Sequence, residues 1–195
     1  MSHAPKTTLH SSRRAKVYLA DPSSPNLDWP LQLGIGELII TGGETSLITV
    51  LGSCLALMAS APSFGVSGMV HAIYPSRSNR PMPFDESSLR YVDESFHKLV
   101  SEFARLGVPR RELSFKLFGG ATLMLRTPNG ARIPSPGDAN LKVARRWIAE
   151  EGISLSGEDV GGPFARRLVL EPRTGEVLVQ LLRSGFETPT TNRGF

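Results

Sequence analysis

Thr49-Val50-Leu51-Gly52-Ser53-Cys54-Leu55-Ala56-Leu57-Met58-Ala59 is the stretch on which the fold turns. Its first part ends a strand, Ser46 to Leu51, and Gly52-Ser53 closes that strand in a turn. The part from Cys54 to Ala59 is ambiguous. Its alanine, leucine and methionine favour a short helix, while its length equally permits a buried strand. The difference is chemical as well as architectural. A helix beginning at Ser53 would aim its first N–H groups at the sulfur of Cys54, lowering the thiol pKa and supplying oxyanion donors.

Cys54 is the single cysteine of the chain, and His71, one of four histidines, follows inside the apolar run Val66 to Ile73. A thiol on a turn and an imidazole on a neighbouring element are the minimum parts for nucleophilic catalysis by sulfur. The imidazole takes the thiol proton and holds the thiolate at a pH where a free thiol is protonated. The competing reading is a buried structural thiol, because cysteine behaves as a small hydrophobe. The spacing alone does not choose, since it does not transfer between families of cysteine enzymes.

The 195 residues suit one domain with tails, and a hydrophobic share of 40% against 21% charged suits a globular core. One cysteine excludes an internal disulfide. No segment approaches the roughly 20 apolar residues of a membrane span, and no signal-peptide core opens the sequence. These features read as a cytoplasmic protein without membrane insertion. The net charge of +4 is diffuse. The pairs Arg110-Arg111, Arg145-Arg146 and Arg166-Arg167 lack interleaved aromatics and read as solvated faces, so no nucleic-acid partner is expected.

In chain order, residues 1–30 read as a flexible N-terminal tail in which Val17-Tyr18-Leu19 offers an edge strand. The domain is expected over residues 31–183, with a C-terminal tail at 184–195. It opens with the glycine-punctuated strand candidate Leu31 to Ile40 and the turn Thr41 to Glu44. Ala61 to Gly65 is a turn, and Val66 to Tyr74 is the strand carrying His71. Ser76 to Pro83 is a polar loop beside the proposed site. Leu89, Val92, Phe96, Leu99, Val100, Phe103 and Leu106 mark an amphipathic helix with Asp85 to Ser88 as capping material and Gly107 as its stop. His97 lies off that stripe and reads as a surface histidine. Leu113 to Phe118 is a strand ending in Gly119-Gly120-Ala121. Thr127 to Gly130 is a turn, and Asp138 caps a second helix through Glu151. Arg166 to Leu170 and Glu176 to Leu182 form a hairpin over Pro172-Arg173-Thr174-Gly175. Helices mixed with short strands give an α/β fold of the α+β type, a single-domain mixed sandwich.

Six blocks in this order resemble the CheD family of chemoreceptor glutamine deamidases. They are Gly34-Ile35-Gly36-Glu37; Leu51-Gly52-Ser53-Cys54 with Gly65 to Pro75; Arg90-Tyr91-Val92-Asp93; Lys116 to Ala121; Gly137 with Asn140; and Asp159 to Gly162 with Arg166-Arg167. They span about residues 33 to 183. The resemblance implies an α/β sandwich similar to the catalytic domain of glutamine-deamidating bacterial toxins, with a Cys-His-Thr site. Carried over, Cys54 is the nucleophile, His71 the general base and acid, and Thr49 the third member, with Thr45 a second hydroxyl candidate. Gly52 and Ser53 would support the turn, whose N–H groups would stabilise the oxyanion. The reaction implied is hydrolysis of glutamine side chains on chemoreceptor cytoplasmic helices through a γ-glutamyl thioester, releasing ammonia. No cofactor is implied, and a metal site is not expected from one cysteine and scattered histidines. Where the family carries Glu-Arg after Gly137, this chain has Asp138-Ala139.

Two other readings stay open. Another cysteine hydrolase or a transglutaminase would use the same pair of residues. A non-enzymatic chemotaxis adaptor would bind receptors, or the CheC-type phosphatase that relatives partner. The sequence leaves the oligomeric state undetermined.

Overall fold

The stretch after Cys54 is a strand. The computed structural model describes residues 15–18, 30–42, 44–77, 88–122, 129, 135–182 and 192–194, the first and last of these by backbone alone. In it Leu55–Ala61 is extended and every one of its residues is buried. A strand covered on both faces has no reason to alternate polar with apolar residues, which is why its sequence also fits helix. The helical reading of Cys54 to Ala59 is therefore corrected: no helix begins at Ser53.

Among the described residues two sheets form. The first holds, in spatial order, β1 (Ala15–Tyr18), β3 (Leu38–Gly42), β6 (Val66–Ala72), β5 (Leu55–Ala61), β7 (Ser114–Gly119) and β8 (Leu155–Val160). The second runs β11 (Asn192–Gly194), β10 (Val177–Leu182), β9 (Ala165–Leu170), β4 (Leu47–Leu51) and β2 (Leu31–Gln32). The inner ladders are antiparallel, with β6 between β3 and β5, and β5 between β6 and β7. Helices α1 (Val92–Arg105) and α2 (Pro136–Glu150) cover the outer face of the first sheet.

Alternation along β5 sorts the core into two layers. Leu55, Leu57 and Ala59 face the helices, joining Phe96, Leu99 and Phe103 of α1 and Ala144 and Trp147 of α2. Phe96 and Trp147 meet edge to face at 5.3 Å. Cys54, Ala56 and Met58 face the other way, into the layer shared with Leu47, Leu51, Leu168 and Val179 of the second sheet. The mixed α/β sandwich read from sequence is thus three layers deep: helices, sheet, sheet.

Several local readings change. The candidate strand Leu31 to Ile40 is cut in two, because the chain leaves the second sheet at Gln32 and enters the first at Leu38. Gly36 turns the corner at φ +70, where a Cβ would meet the Arg90 side chain at 2.8 Å. β1 is the edge strand the sequence offered near Val17 to Leu19, and it pairs in parallel with β3, whereas the segment read as a C-terminal tail supplies β11, antiparallel to β10. β8, absent from the sequence reading, pairs in parallel with β7; an edge strand carrying Ser, Gly, Glu and Asp shows little of the usual apolar signal. Ser135, not Asp138, caps α2: its hydroxyl accepts from the Gly137 N–H at 3.2 Å, and Pro136 opens the helix. Asp138 instead accepts a hydrogen bond from the Thr122 hydroxyl at 2.9 Å. Most of the Ser76 to Pro83 loop, Asp85 to Ser87 and most of the Thr127 to Gly130 turn lie outside the described residues.

Arg166 is not on a solvated face. It is 3% exposed, and its guanidinium donates to Asp159 Oδ1 at 2.8 Å, the Gly119 carbonyl at 3.2 Å and the Gly161 carbonyl at 2.6 Å. Alternation along β9 turns Arg166 inward while Arg167 points out. Among the described residues, no helix is long and apolar enough to cross a membrane.

Candidate active site

Thr49 and His71 come from different sheets and meet between them, and Cys54 is turned into the same inter-sheet layer. Thr49 lies on β4 between Leu47 and Leu51, which pack into the inter-sheet core, and it is 2% exposed. His71 lies on β6 two residues after Met69, which packs into that same layer, and is 3% exposed. Ala56 stands directly opposite His71 in the β5–β6 register. Cys54 lies two residues before Ala56 on the same face, hence diagonal to the imidazole, a spacing at which cross-strand side chains interact.

A hydrogen-bonded relay runs from the ring into the second sheet. Thr49 Oγ1 is 3.0 Å from His71 Nδ1 and donates to the Leu33 carbonyl at 2.8 Å. The hydroxyl has one proton. With that proton on the Leu33 carbonyl, Nδ1 must carry the hydrogen and donate it to Thr49. Nε2 is then the unprotonated nitrogen, and it is buried with no partner among the described residues. The hydroxyl that reaches the ring is that of Thr49, not Thr45. The backbone around His71 is tied as well: its N–H donates to the Glu37 carbonyl at 3.1 Å, and its carbonyl accepts from Gly36 N–H at 2.8 Å.

The turn bearing Cys54 is held from behind by three successive carbonyls. Gly52 accepts from Ala121 N–H at 2.9 Å, Ser53 from Asn140 Nδ2 at 2.9 Å and Cys54 from Gly120 N–H at 2.7 Å. Gly119 and Gly120 make this approach possible. Gly119 has φ +105, and a Cβ there would sit 2.2 Å from the Cys54 carbonyl oxygen. Gly52 differs: a Cβ would meet nothing within 4 Å, so the fold itself does not require glycine there. Ser53 has no helix to cap, and the part of it in use is its carbonyl.

Burial dominates the electrostatics. It pushes the Cys54 thiol above its ordinary 9.0, opposed by a hydrogen bond from the residue's own backbone N–H. It lowers His71 from 6.5 to about 4, opposed by the Leu33 carbonyl and by the charge of Glu37. Both shifts favour uncharged forms, so the resting pair is thiol and neutral imidazole, not thiolate and imidazolium. The direction of both shifts runs against a preformed thiolate, and its cause is burial between the sheets. Among the described residues no cluster of His, Cys, Asp and Glu is arranged to hold a metal ion.

Sequence reasoning noted Asn140 and Arg166 only within the family blocks and gave neither a role at this site. Asn140 is fully buried in α2, and Arg166 fixes the Gly119 carbonyl. The available signal was an asparagine inside a helical stripe, one turn after a glycine.

Comparison with known proteins points one way. A family model described as CheD chemotactic sensory transduction matches residues 73–181. The chain is 34% identical over 168 residues to the probable chemoreceptor glutamine deamidase CheD of Oleidesulfovibrio alaskensis, covering 85% of this chain and 77% of that one. It is 30% identical over 150 residues to the protein of the same description from Hahella chejuensis, covering 76% and 68%. The family model begins just beyond His71, whereas a match over 85% of this chain leaves too little outside it to miss residues 49–71. Among solved structures, hypothetical protein YfiH of Bacillus licheniformis overlays with a TM-score of 0.39 at 10% identity, covering 72% of this chain and 62% of that one.

Proposed function

The chain belongs to the CheD family, and we propose that it is an amidohydrolase converting glutamine side chains on the cytoplasmic helices of chemoreceptors to glutamate. The observation that carries the chemistry is the Thr49–His71 contact, which leaves Nε2 without a partner among the described residues on the face that Cys54 shares. Cys54 is the nucleophile, His71 the general base and acid, and Thr49 the group that orients the ring.

In this reading the thiol proton passes to Nε2 as sulfur attacks the side-chain amide carbon, forming a carbon–sulfur bond and an oxyanion. The imidazolium then gives its proton to the amide nitrogen, the carbon–nitrogen bond breaks and ammonia leaves. Water, deprotonated by the same nitrogen, attacks the γ-glutamyl thioester; the carbon–sulfur bond breaks and the thiol is restored. Because the resting pair is uncharged, proton transfer accompanies attack and does not precede it. Backbone N–H groups of the Gly52–Leu55 turn are the proposed oxyanion donors. No cofactor takes part. A CheC-type phosphatase as partner rests on the resemblance alone.

Receptor cytoplasmic fragments incubated with wild-type protein, Cys54→Ala or His71→Ala, followed by peptide mass spectrometry and ammonia release, test the proposal. Conversion of specific glutamines by wild type, lost in both variants, is expected. Receptor binding without conversion by wild type would favour the adaptor reading and return Cys54 to the core.

A further inference from the structure

We infer that Asn140 is a positioning residue that sets the separation of nucleophile and base by cross-linking the two chain segments that carry them. The inference rests on the proposed roles of Cys54 and His71. The β5–β6 ladder ends at the pair Leu55↔Ala72. Beyond that pair no ladder bond holds the two segments together, although the proposed nucleophile lies immediately outside it. Ile73 has already turned to another partner, its N–H donating to the Arg90 carbonyl at 2.9 Å. Asn140 supplies the missing link. One amide nitrogen donates to the Ser53 carbonyl at 2.9 Å and to the Ile73 carbonyl at 3.0 Å. Its two hydrogens thus tie the residue before Cys54 to the residue two after His71.

The chemistry of the site calls for this side chain. Two converging carbonyl oxygens need two donors on one atom, which fixes the amide nitrogen between them and excludes the flipped orientation. Serine has one donor, a carboxylate none, and glutamine would carry the nitrogen one carbon further. The reach is set by α2, whose first turn is pressed against the β7 exit. A Cβ on Gly137 would lie 2.5 Å from the Ala121 carbonyl oxygen and 2.7 Å from that of Gly120. One turn later Asn140 is fully buried, and its Oδ1 has no partner among the described residues. A buried amide with an unsatisfied acceptor is a poor choice for packing alone. The two donor bonds account for an asparagine at this position.

The test uses full-length Asn140→Ala and the nearly isosteric Asn140→Asp. Three readouts are taken: deamidation of a receptor cytoplasmic fragment, the pH profile of Cys54 alkylation by iodoacetamide, and thermal unfolding. In folded Asn140→Ala, kcat falls about 10- to 100-fold, the scale of a small misplacement of reacting groups, while KM changes little and the alkylation profile moves. Asn140→Asp is equally impaired at neutral pH. It recovers in part as the pH is lowered, because a protonated carboxyl again donates to one of the carbonyls. A folded variant with wild-type kcat and a superimposable alkylation profile overturns the inference. So does a loss in Asn140→Asp that is flat with pH, which a purely structural role predicts. Should Asn140→Ala fail to fold, Asn140→Asp decides alone. Alkylation needs no receptor, so a wild-type protein without deamidase activity would defeat the proposed function while leaving this inference separately testable.

Discussion

Thr49 Oγ1 and His71 Nδ1 stand 3.0 Å apart although one belongs to the second sheet and the other to the first. The contact joins the two sheets at the point where the proposed chemistry occurs. The threonine also donates onward to the Leu33 carbonyl, just past β2. The orientation of the imidazole is therefore a property of how the sheets are stacked. A slide of one sheet against the other would release the ring before it disturbed either ladder.

Thr49→Val tests the relay, since it keeps the shape and deletes the hydroxyl. The Leu33 carbonyl loses its partner, and the ring is free to take the other tautomer. Removing a buried hydrogen-bonding group costs about 1–3 kcal/mol, equivalent to about 5- to 150-fold if expressed in the barrier. Steady-state ammonia release is expected to fall by that factor, with Thr49→Ser retaining most activity. A fully active Thr49→Val would remove the threonine from the site.

Stability is expected to fall as the pH drops through the window set by His71. The unfolded chain takes up the proton near 6.5, whereas burial holds the folded value at about 4. Above 6.5 both states are neutral and stability is undiminished. Between 6.5 and about 4 the unfolded state binds more protons, so stability declines, and below that window the loss levels off at about 3 kcal/mol. His71→Gln should flatten this limb. Urea unfolding across the window measures it, and an unchanged slope in His71→Gln would assign the acid sensitivity to other groups.

Alkylation of Cys54 reports the state of the thiol directly. Burial raises its pKa above 9.0, so the rate with iodoacetamide should keep climbing through and beyond that pH. A plateau already reached at neutral pH would mean a preformed thiolate and would contradict the uncharged resting pair.

Two glycines of the site should respond oppositely to alanine. Gly119→Ala places a Cβ at 2.2 Å from the Cys54 carbonyl oxygen at φ +105 and should cost more than about 2 kcal/mol in urea unfolding. Gly52→Ala meets nothing within 4 Å and should leave stability within about 0.5 kcal/mol. If Gly52 is glycine so that substrate backbone can approach Cys54, this second variant loses deamidase activity while remaining fully folded. Equal destabilisation of both would show that the Gly52 turn is packed more tightly than its surroundings indicate.

Cys54 and His71 stood out in the sequence because their types are scarce, one cysteine and four histidines, whereas Thr49 was singled out only through the family resemblance. Both helices were legible too, since one buried face leaves a period that survives in the sequence, as in Val92, Phe96, Leu99 and Phe103. The hairpin of β9 and β10 announced itself through Pro172-Arg173-Thr174-Gly175, where Gly175 has φ +72.

Burial on both faces erased the same kind of signal from Leu55–Ala61, so only its neighbours on either side could make it a strand. Likewise the direction in which Cys54 and His71 titrate depends on how densely two sheets pack around them, a quantity no local spacing encodes. The bonds from Thr49 to His71 and from Asn140 to Ser53 and Ile73 join residues 22, 87 and 67 positions apart. Sequence by itself determined which groups were available for the chemistry. Only the stacking of helix, sheet and sheet decided which atoms meet, because side chains from different layers come into contact after the layers close on one another.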